Sequence, residues 1–173
     1  MSPMPTLVEI VPYDPEWPLH FLEAEADLRG RLGPAVLAVE HVGSTSVPGM
    51  PAKPVIDMDV TLTGLSAIPG AGECLVDAGY EPRGNRYDDD VWAFLLKRSA
   101  PDRRVYLCAP RNRTHRHRLL FRDYLRCNED TAGAYARLKE QLAKRFPFDG
   151  DRYTSEKSAF IQEMVSRARA QFR

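Results

Sequence analysis

Thirteen of the fourteen prolines in this 173-residue chain lie in its first 110 residues, and only Pro147 lies beyond them. Proline lacks a backbone donor and clashes with the helical turn before it. The front of the chain is therefore broken into short pieces, whereas residues 114–173 are free to run as helix. Glycine and β-branched residues crowd the same front stretch, which adds turns and strands. The reading is α+β: a mixed β-sheet with flanking helices over residues 1–110, and a helical part over 111–173, packed together as one domain. A chain of this length buries enough surface to hold itself together without staples. Its three cysteines, Cys74, Cys108 and Cys127, are odd in number and far apart. They fit neither a disulfide framework nor a zinc knuckle.

Periodicity divides the front half further. Leu7 to Val11 reads as a short strand. Asp14 is a good N-cap with Pro15 at the first helical position, and Leu19, Leu22, Ala26 and Leu28, with Phe21 near the edge, predict an apolar stripe. Gly33-Pro34 ends that helix. Val36–Val42 and Pro54–Leu62 read as strands, and Leu65–Ala78 as a helix interrupted near Pro69-Gly70, with Gly79 as its cap. Val91–Lys97 and Arg103–Cys108 predict a hairpin joined around Ser99-Ala100-Pro101-Asp102. In the back half, His115–Cys127, Asp130–Arg145 and Thr154–Phe172 predict three helices. Phe160, Ile161, Met164, Val165 and Ala168 form one apolar face of the last.

The chemistry concentrates between two strands. His41-Val42 leads into the turn Gly43-Ser44-Thr45-Ser46, and twelve residues separate Ser44 from Asp57-Met58-Asp59-Val60. Strand geometry puts Asp57 and Asp59 on one face and Ile56, Met58 and Val60 on the other. Two like charges side by side repel. A divalent cation would remove the repulsion, and Mg²⁺ favours one or two carboxylates with phosphate oxygens. A glycine-serine turn presents backbone N–H groups and hydroxyls that suit a phosphate. Together they outline a phosphate-plus-metal site of the kind used in phosphoryl or nucleotidyl transfer.

The Gly-Ser turn, the spacer and the Asp-x-Asp strand resemble the signature of the polymerase-beta-like nucleotidyltransferase superfamily. The longer string, His41-Val42-Gly43-Ser44-Thr45-Ser46-Val47-Pro48-Gly49 through Ala52-Lys53-Pro54-Val55-Ile56-Asp57, is similar more narrowly to the GrpB family. Val11–Pro18, Leu120–Arg126, Tyr135–Lys139, Tyr153-Thr154, Lys157 and Phe160-Ile161 extend the resemblance over nearly the whole chain. The resemblance implies a nucleotidyltransferase-like core with a helical C-terminal part. It implies Asp57 and Asp59 as catalytic residues and as ligands of Mg²⁺. Gly43, Ser44, Thr45, Ser46, Lys53, Arg122, Tyr135, Lys139 and Lys157 would hold the phosphates of a nucleotide or other phosphorylated small molecule. Transfer of a nucleotidyl group to a small-molecule or protein acceptor is one expectation. A catalytically inactive ligand-binding or chaperone-like module, as in chains that carry a similar domain beside dephospho-coenzyme A kinase, is the other.

One departure bears on that choice. Active superfamily members bring a third carboxylate from a later strand, and neither Val91–Lys97 nor Arg103–Cys108 contains Asp or Glu. The run Asp88-Asp89-Asp90 reads as a solvated turn, and the basic run Arg111–Arg118 as a solvated loop. Balanced charge, 24 basic against 24 acidic residues, argues against a nucleic-acid partner, which needs a basic footprint. No apolar run approaches a membrane span and no secretory signal opens the chain, so a cytoplasmic protein is expected.

Overall fold

The computed structural model describes residues 5–97 and 101–173. Five strands form one mixed sheet: β1 (Val36–Val42), β2 (Val55–Leu62), β3 (Glu81–Arg86), β4 (Val91–Leu96) and β5 (Asp102–Cys108). Their order is β1-β2-β5-β4-β3. β2 and β5 run parallel, and every other neighbouring pair is antiparallel. The helices are α1 (Trp17–Leu32), α2 (Ile68–Asp77), α3 (Arg113–Cys127), α4 (Glu129–Arg145), α5 (Gly150–Ser155) and α6 (Ser158–Gln171). No helix among the described residues is long and apolar enough to cross a membrane.

Register assigns the two faces of the sheet. His41, Met58 and Val105 share one face, and Glu40, Asp59 and Tyr106 share the other. The first is apolar, and α1 and α2 cover it. Ile56, Met58, Val60, Val105 and Leu107 are fully buried there against Leu28, Ala24 and Leu75. The second face is polar, and α3 crosses it. The helices α3, α4 and α6 close on one another through Leu125, Tyr135, Met164 and Ala168.

Several boundaries differ from the sequence expectation. Leu7–Val11 forms no strand: Val11 makes an isolated bridge to Ala52, and the Val8 N–H donates to the Pro147 carbonyl at 2.7 Å. Val8 packs instead on Leu142 and Tyr153. Helix α1 begins two residues after Pro15, because the Asp14 carboxylate accepts the Glu16 N–H (2.9 Å) and holds a turn ahead of the helix. Its buried face is Trp17, Ala24 and Leu28, with Phe21 against the core, while Leu19 and Leu22 are exposed. Of the expected stripe Leu28 alone is buried, and Ala26 is exposed with Leu19 and Leu22; the face shared by Trp17, Phe21, Ala24 and Leu28 is the one that meets the core.

Pro69 lies in the first turn of α2, so it starts that helix and does not interrupt it. Thr154–Phe172 is two helices, α5 and α6, broken at Glu156-Lys157. Strand β3 escaped the periodicity reading because all six of its residues are exposed, so it carries no alternation to detect. The expected hairpin pairs β4 with β5; Ser99 and Ala100, assigned to its turn, lie outside the described residues.

Candidate anion-binding site

Gly43 ends β1 with φ +73°, and a Cβ there would lie 2.6 Å from Asp57 Oδ2 and 3.0 Å from Asp57 Cβ. Asp57 therefore rests directly on the turn, and only glycine leaves it room. Residues Ser44–Ser46 form one tight turn, closed by N–H donation from Ser46 to the Gly43 carbonyl (3.1 Å) and from Val47 to the Ser44 carbonyl (3.2 Å). Ser44 is half-buried and hydrogen-bonds the Tyr135 hydroxyl. Thr45 and Ser46 turn inward. Thr45 Oγ1 donates to the Val55 carbonyl at 3.1 Å and lies 2.9 Å from His41 Nε2, while Ser46 Oγ donates to the Gly43 carbonyl. These two hydroxyls build the turn.

On the polar face of the sheet both carboxylates already have cationic partners. Asp57 Oδ1 is 3.3 Å from a terminal nitrogen of Arg104, its register partner on β5. Asp59 is only 1 % exposed. Its Oδ2 accepts from His115 Nδ1 at 2.8 Å, and its Oδ1 lies 3.0 Å from Arg118. The Arg118 contact misses the angle of a hydrogen bond, so it is an ion contact. The Arg118 guanidinium lies 3.7 Å over the Tyr106 ring. Asp57 holds Arg104 above its ordinary value against the cost of burial. For Arg118 burial is the largest influence and opposes the charge, but Asp59 and Tyr106 together raise it.

The helix supplying these partners starts where a solvated loop was expected. Asn112 caps α3 through its side chain, accepting the His115 N–H at 2.8 Å. Asp89 accepts the Thr114 N–H (2.8 Å) and hydroxyl (2.7 Å). The acidic turn is thus tied to the start of α3, where a carboxylate offsets the basic residues and the helix dipole. His115, Arg118 and Arg122, spaced three and four apart, fall on one face of α3. They meet Asp59 and, at 2.9 Å from Arg122, Glu40.

Lysines come from the other side. Lys53 Nζ and Lys157 Nζ lie 4.5 and 4.4 Å from the centre of the Tyr153 ring. Burial, then the Lys53 charge, pulls the Lys157 ammonium down to about 8, with Asp57 opposing. Burial and Arg104 lower Lys53, again with Asp57 opposing. Lys139, 1 % exposed, donates to the Pro51 carbonyl and lies 5.1 Å over the Tyr135 ring. Burial and Lys157 pull it down to about 7.

Asp57, Gly43, Ser44, Lys53, Tyr135 and Lys157 thus gather at one place. Asp59 adjoins them beneath α3, and Lys139 stands in the wall. Arg122 does not join them. It is engaged by Glu40, Asp123 and the His41 carbonyl beside a separate cleft of about 400 Å³. Another cleft, of about 570 Å³, takes in Lys97 on the far side. Arg104, His115, Arg118 and Tyr153 were not singled out from the sequence. Arg104 and Tyr106 did carry a signal: they alternate on the strand beside the aspartates. His115 and Arg118 share helical spacing with Arg122.

These partners bear on Mg²⁺. A divalent cation needs free carboxylate oxygens; both oxygens of Asp59 are engaged by His115 and Arg118, and Oδ1 of Asp57 lies beside Arg104. No group of three or more His, Cys, Asp or Glu side chains that could hold a metal ion occurs among the described residues. An arginine, Arg104, and not a carboxylate stands beside Asp57 on β5. The residues present do not fit a two-metal centre, and no step is derived through one.

Comparison with known proteins agrees with this architecture. The family described as GrpB protein matches residues 7–167. The UPF0157 protein YqkA of Bacillus subtilis is 33% identical over 162 residues, covering 94% of this chain and 47% of that protein. The UPF0157 protein PA4798 of Pseudomonas aeruginosa is 37% identical over 173 residues, covering 94% of this chain and 68% of that one. The chain therefore spans about half to two-thirds of the length of these relatives. The crystal structure of GrpB from Enterococcus faecalis superposes with a TM-score of 0.86 at 31% identity, over 95% of this chain and 99% of that one. The Cid1 poly(U) polymerase, in a structure with Mg 3′-dATP bound, shares the fold at TM-score 0.54 and 19% identity, over 79% of this chain and 44% of that one. The sheet and its flanking helices thus share the fold of the Cid1 core, and the chain belongs to the GrpB family.

Proposed function

We propose that this protein binds a nucleotide or another phosphorylated small molecule at the site between the Gly43-Ser44 turn, the start of β2 and the start of α6. One observation carries the reading: Lys53, Lys157, Arg104 and Arg118 surround two carboxylates. Burial chiefly, and next the neighbouring cations Arg104 and Lys53, lower the two lysines. An anion of two or more charges would relieve that repulsion, and phosphate oxygens suit both ammonium and guanidinium groups. Nucleotide is the preferred class because Cid1, similar in fold, is a poly(U) polymerase solved with Mg 3′-dATP bound. Binding without transfer is favoured over nucleotidyl transfer, because the carboxylates that would activate an acceptor are paired with arginines. Isothermal titration with ATP, GTP and pyrophosphate tests the reading. Lys53→Ala with Lys157→Ala should weaken binding by tenfold or more, and unchanged affinity would overturn it. A labelled triphosphate incubated with the protein should remain intact; turnover abolished by Asp57→Asn would restore the transferase reading.

A further inference from the structure

Resting on that reading, we infer that Arg104 and Arg118 take the place that divalent cations hold in phosphoryl-transfer sites, so that the pocket accepts an oligophosphate free of Mg²⁺. In metal-dependent sites the ion neutralises phosphate oxygens and is itself held by carboxylates. Here each carboxylate holds a guanidinium instead: Arg104 on Asp57 at 3.3 Å, and Arg118 on Asp59 at 3.0 Å. A divalent ion bound to Asp57 Oδ1 at the usual ~2.1 Å would sit within about 5 Å of the Arg104 nitrogen. It would repel the Arg104 guanidinium that Asp57 now holds.

The two arginines differ in freedom. Arg118 is fixed from three sides, by Asp59, by the Tyr106 ring and by its place on α3. The Arg104 side chain is 34% exposed. It can keep one nitrogen on Asp57 and turn others of its planar fork to a phosphate. Lys53 and Lys157, over Tyr153, supply the remaining charge. Four cations against two carboxylates leave a surplus of two. That surplus suits a ligand that keeps its full negative charge, and Mg²⁺ in complex with the phosphates would cancel it. The ligand class is therefore a di- or triphosphate ester, or inorganic oligophosphate, in its uncomplexed form.

Titration of ATP and of tripolyphosphate into the full chain, once in excess EDTA and once in millimolar Mg²⁺, tests this. Affinity should be several-fold higher in EDTA. Affinity that requires or improves with Mg²⁺ overturns the inference while leaving the phosphate-binding reading standing. Absence of binding in both buffers overturns both. Conversely, Arg104→Asp would add a carboxylate beside Asp57 and remove the competing charge. It should bind Mn²⁺, seen as loss of the free-ion paramagnetic resonance signal, where the parent protein binds none. Mn²⁺ uptake by the parent protein that Asp57→Asn abolishes would refute the inference. Circular dichroism checks that the variant folds. If it does not, Arg104→Gln serves in its place and should lose about tenfold affinity for tripolyphosphate in EDTA. Unchanged affinity there counts against the inference.

Discussion

Asp59→Asn separates a structural acid from one awaiting a metal, because the two predict opposite signs. If Asp57 and Asp59 were an unpaired, repelling couple, neutralising one would stabilise the metal-free protein. The structure says the reverse. Asp59 is 1% exposed and stands between His115 and Arg118, whose side chains are 13% and 19% exposed. An amide can offer its oxygen to only one of them and turns an N–H toward the other. Losing one partner of a buried ion pair costs about 3–5 kcal/mol, chiefly the penalty of the charge left behind. For a chain of this size each kcal/mol moves Tm by ~2–4 °C, so a fall of roughly 10 °C is expected. Urea unfolding followed by circular dichroism, in EDTA at neutral pH, measures it. Pairing Asp59→Asn with Arg118→Met should recover about 2 kcal/mol relative to the sum of the single changes, because no orphaned cation remains. An Asp59→Asn protein as stable as its parent would refute the reasoning.

Other perturbations follow from the same geometry. Gly43→Ala places a methyl 2.6 Å from Asp57 Oδ2 at φ +73°. The backbone alone, with φ +73° and ψ −177° in a region confined essentially to glycine, costs about 1–3 kcal/mol, and the loss of stability read from the urea midpoint should exceed that. In an Asp57→Ala background the loss should shrink to the backbone part, and an equal loss in both backgrounds would rule out the contact. Lys139, held at about 7, binds fewer protons in the folded state than in the unfolded state above that pH. Stability should therefore rise from pH 7 to 9, by up to ~1.4 kcal/mol per pH unit for one full proton. Lys157, at about 8, adds to the upper part of that window. Lys139→Met should flatten the slope in urea titrations, and an unchanged slope would show that the buried ammonium is not its source.

The polar face of the sheet is where packing and function meet. Sheets built mainly of antiparallel pairs commonly pack one face on the core and leave the other polar and solvated. Here α3 lies over Asp59, Glu40 and Tyr106 through a row of His115, Arg118 and Arg122. Register and helical phase have to match for that row to find its partners. The same charges that orient the helix shape the electrostatics of the pocket at its edge.

Much of this was legible along the chain. Alternation in Val55–Leu62 placed Asp57 and Asp59 on one face and the core on the other, because strand geometry is local. The proline distribution separated sheet from helical part for the same reason. The family followed from contiguous strings. What a linear reading left open was pairing. Whether two aspartates repel, hold a metal or hold arginines depends on β5 lying parallel beside β2 and on which face of α3 turns inward. Those contacts join residues 47 and 59 positions apart, Asp57 with Arg104 and Asp59 with Arg118. The choice of Trp17 over Leu19 and Leu22 as the buried face of α1 was likewise made by the core it meets. Local sequence set which groups share a face; only the closed fold decided which charges stand opposite one another, because Coulomb energy depends on distance in space and on exclusion of water.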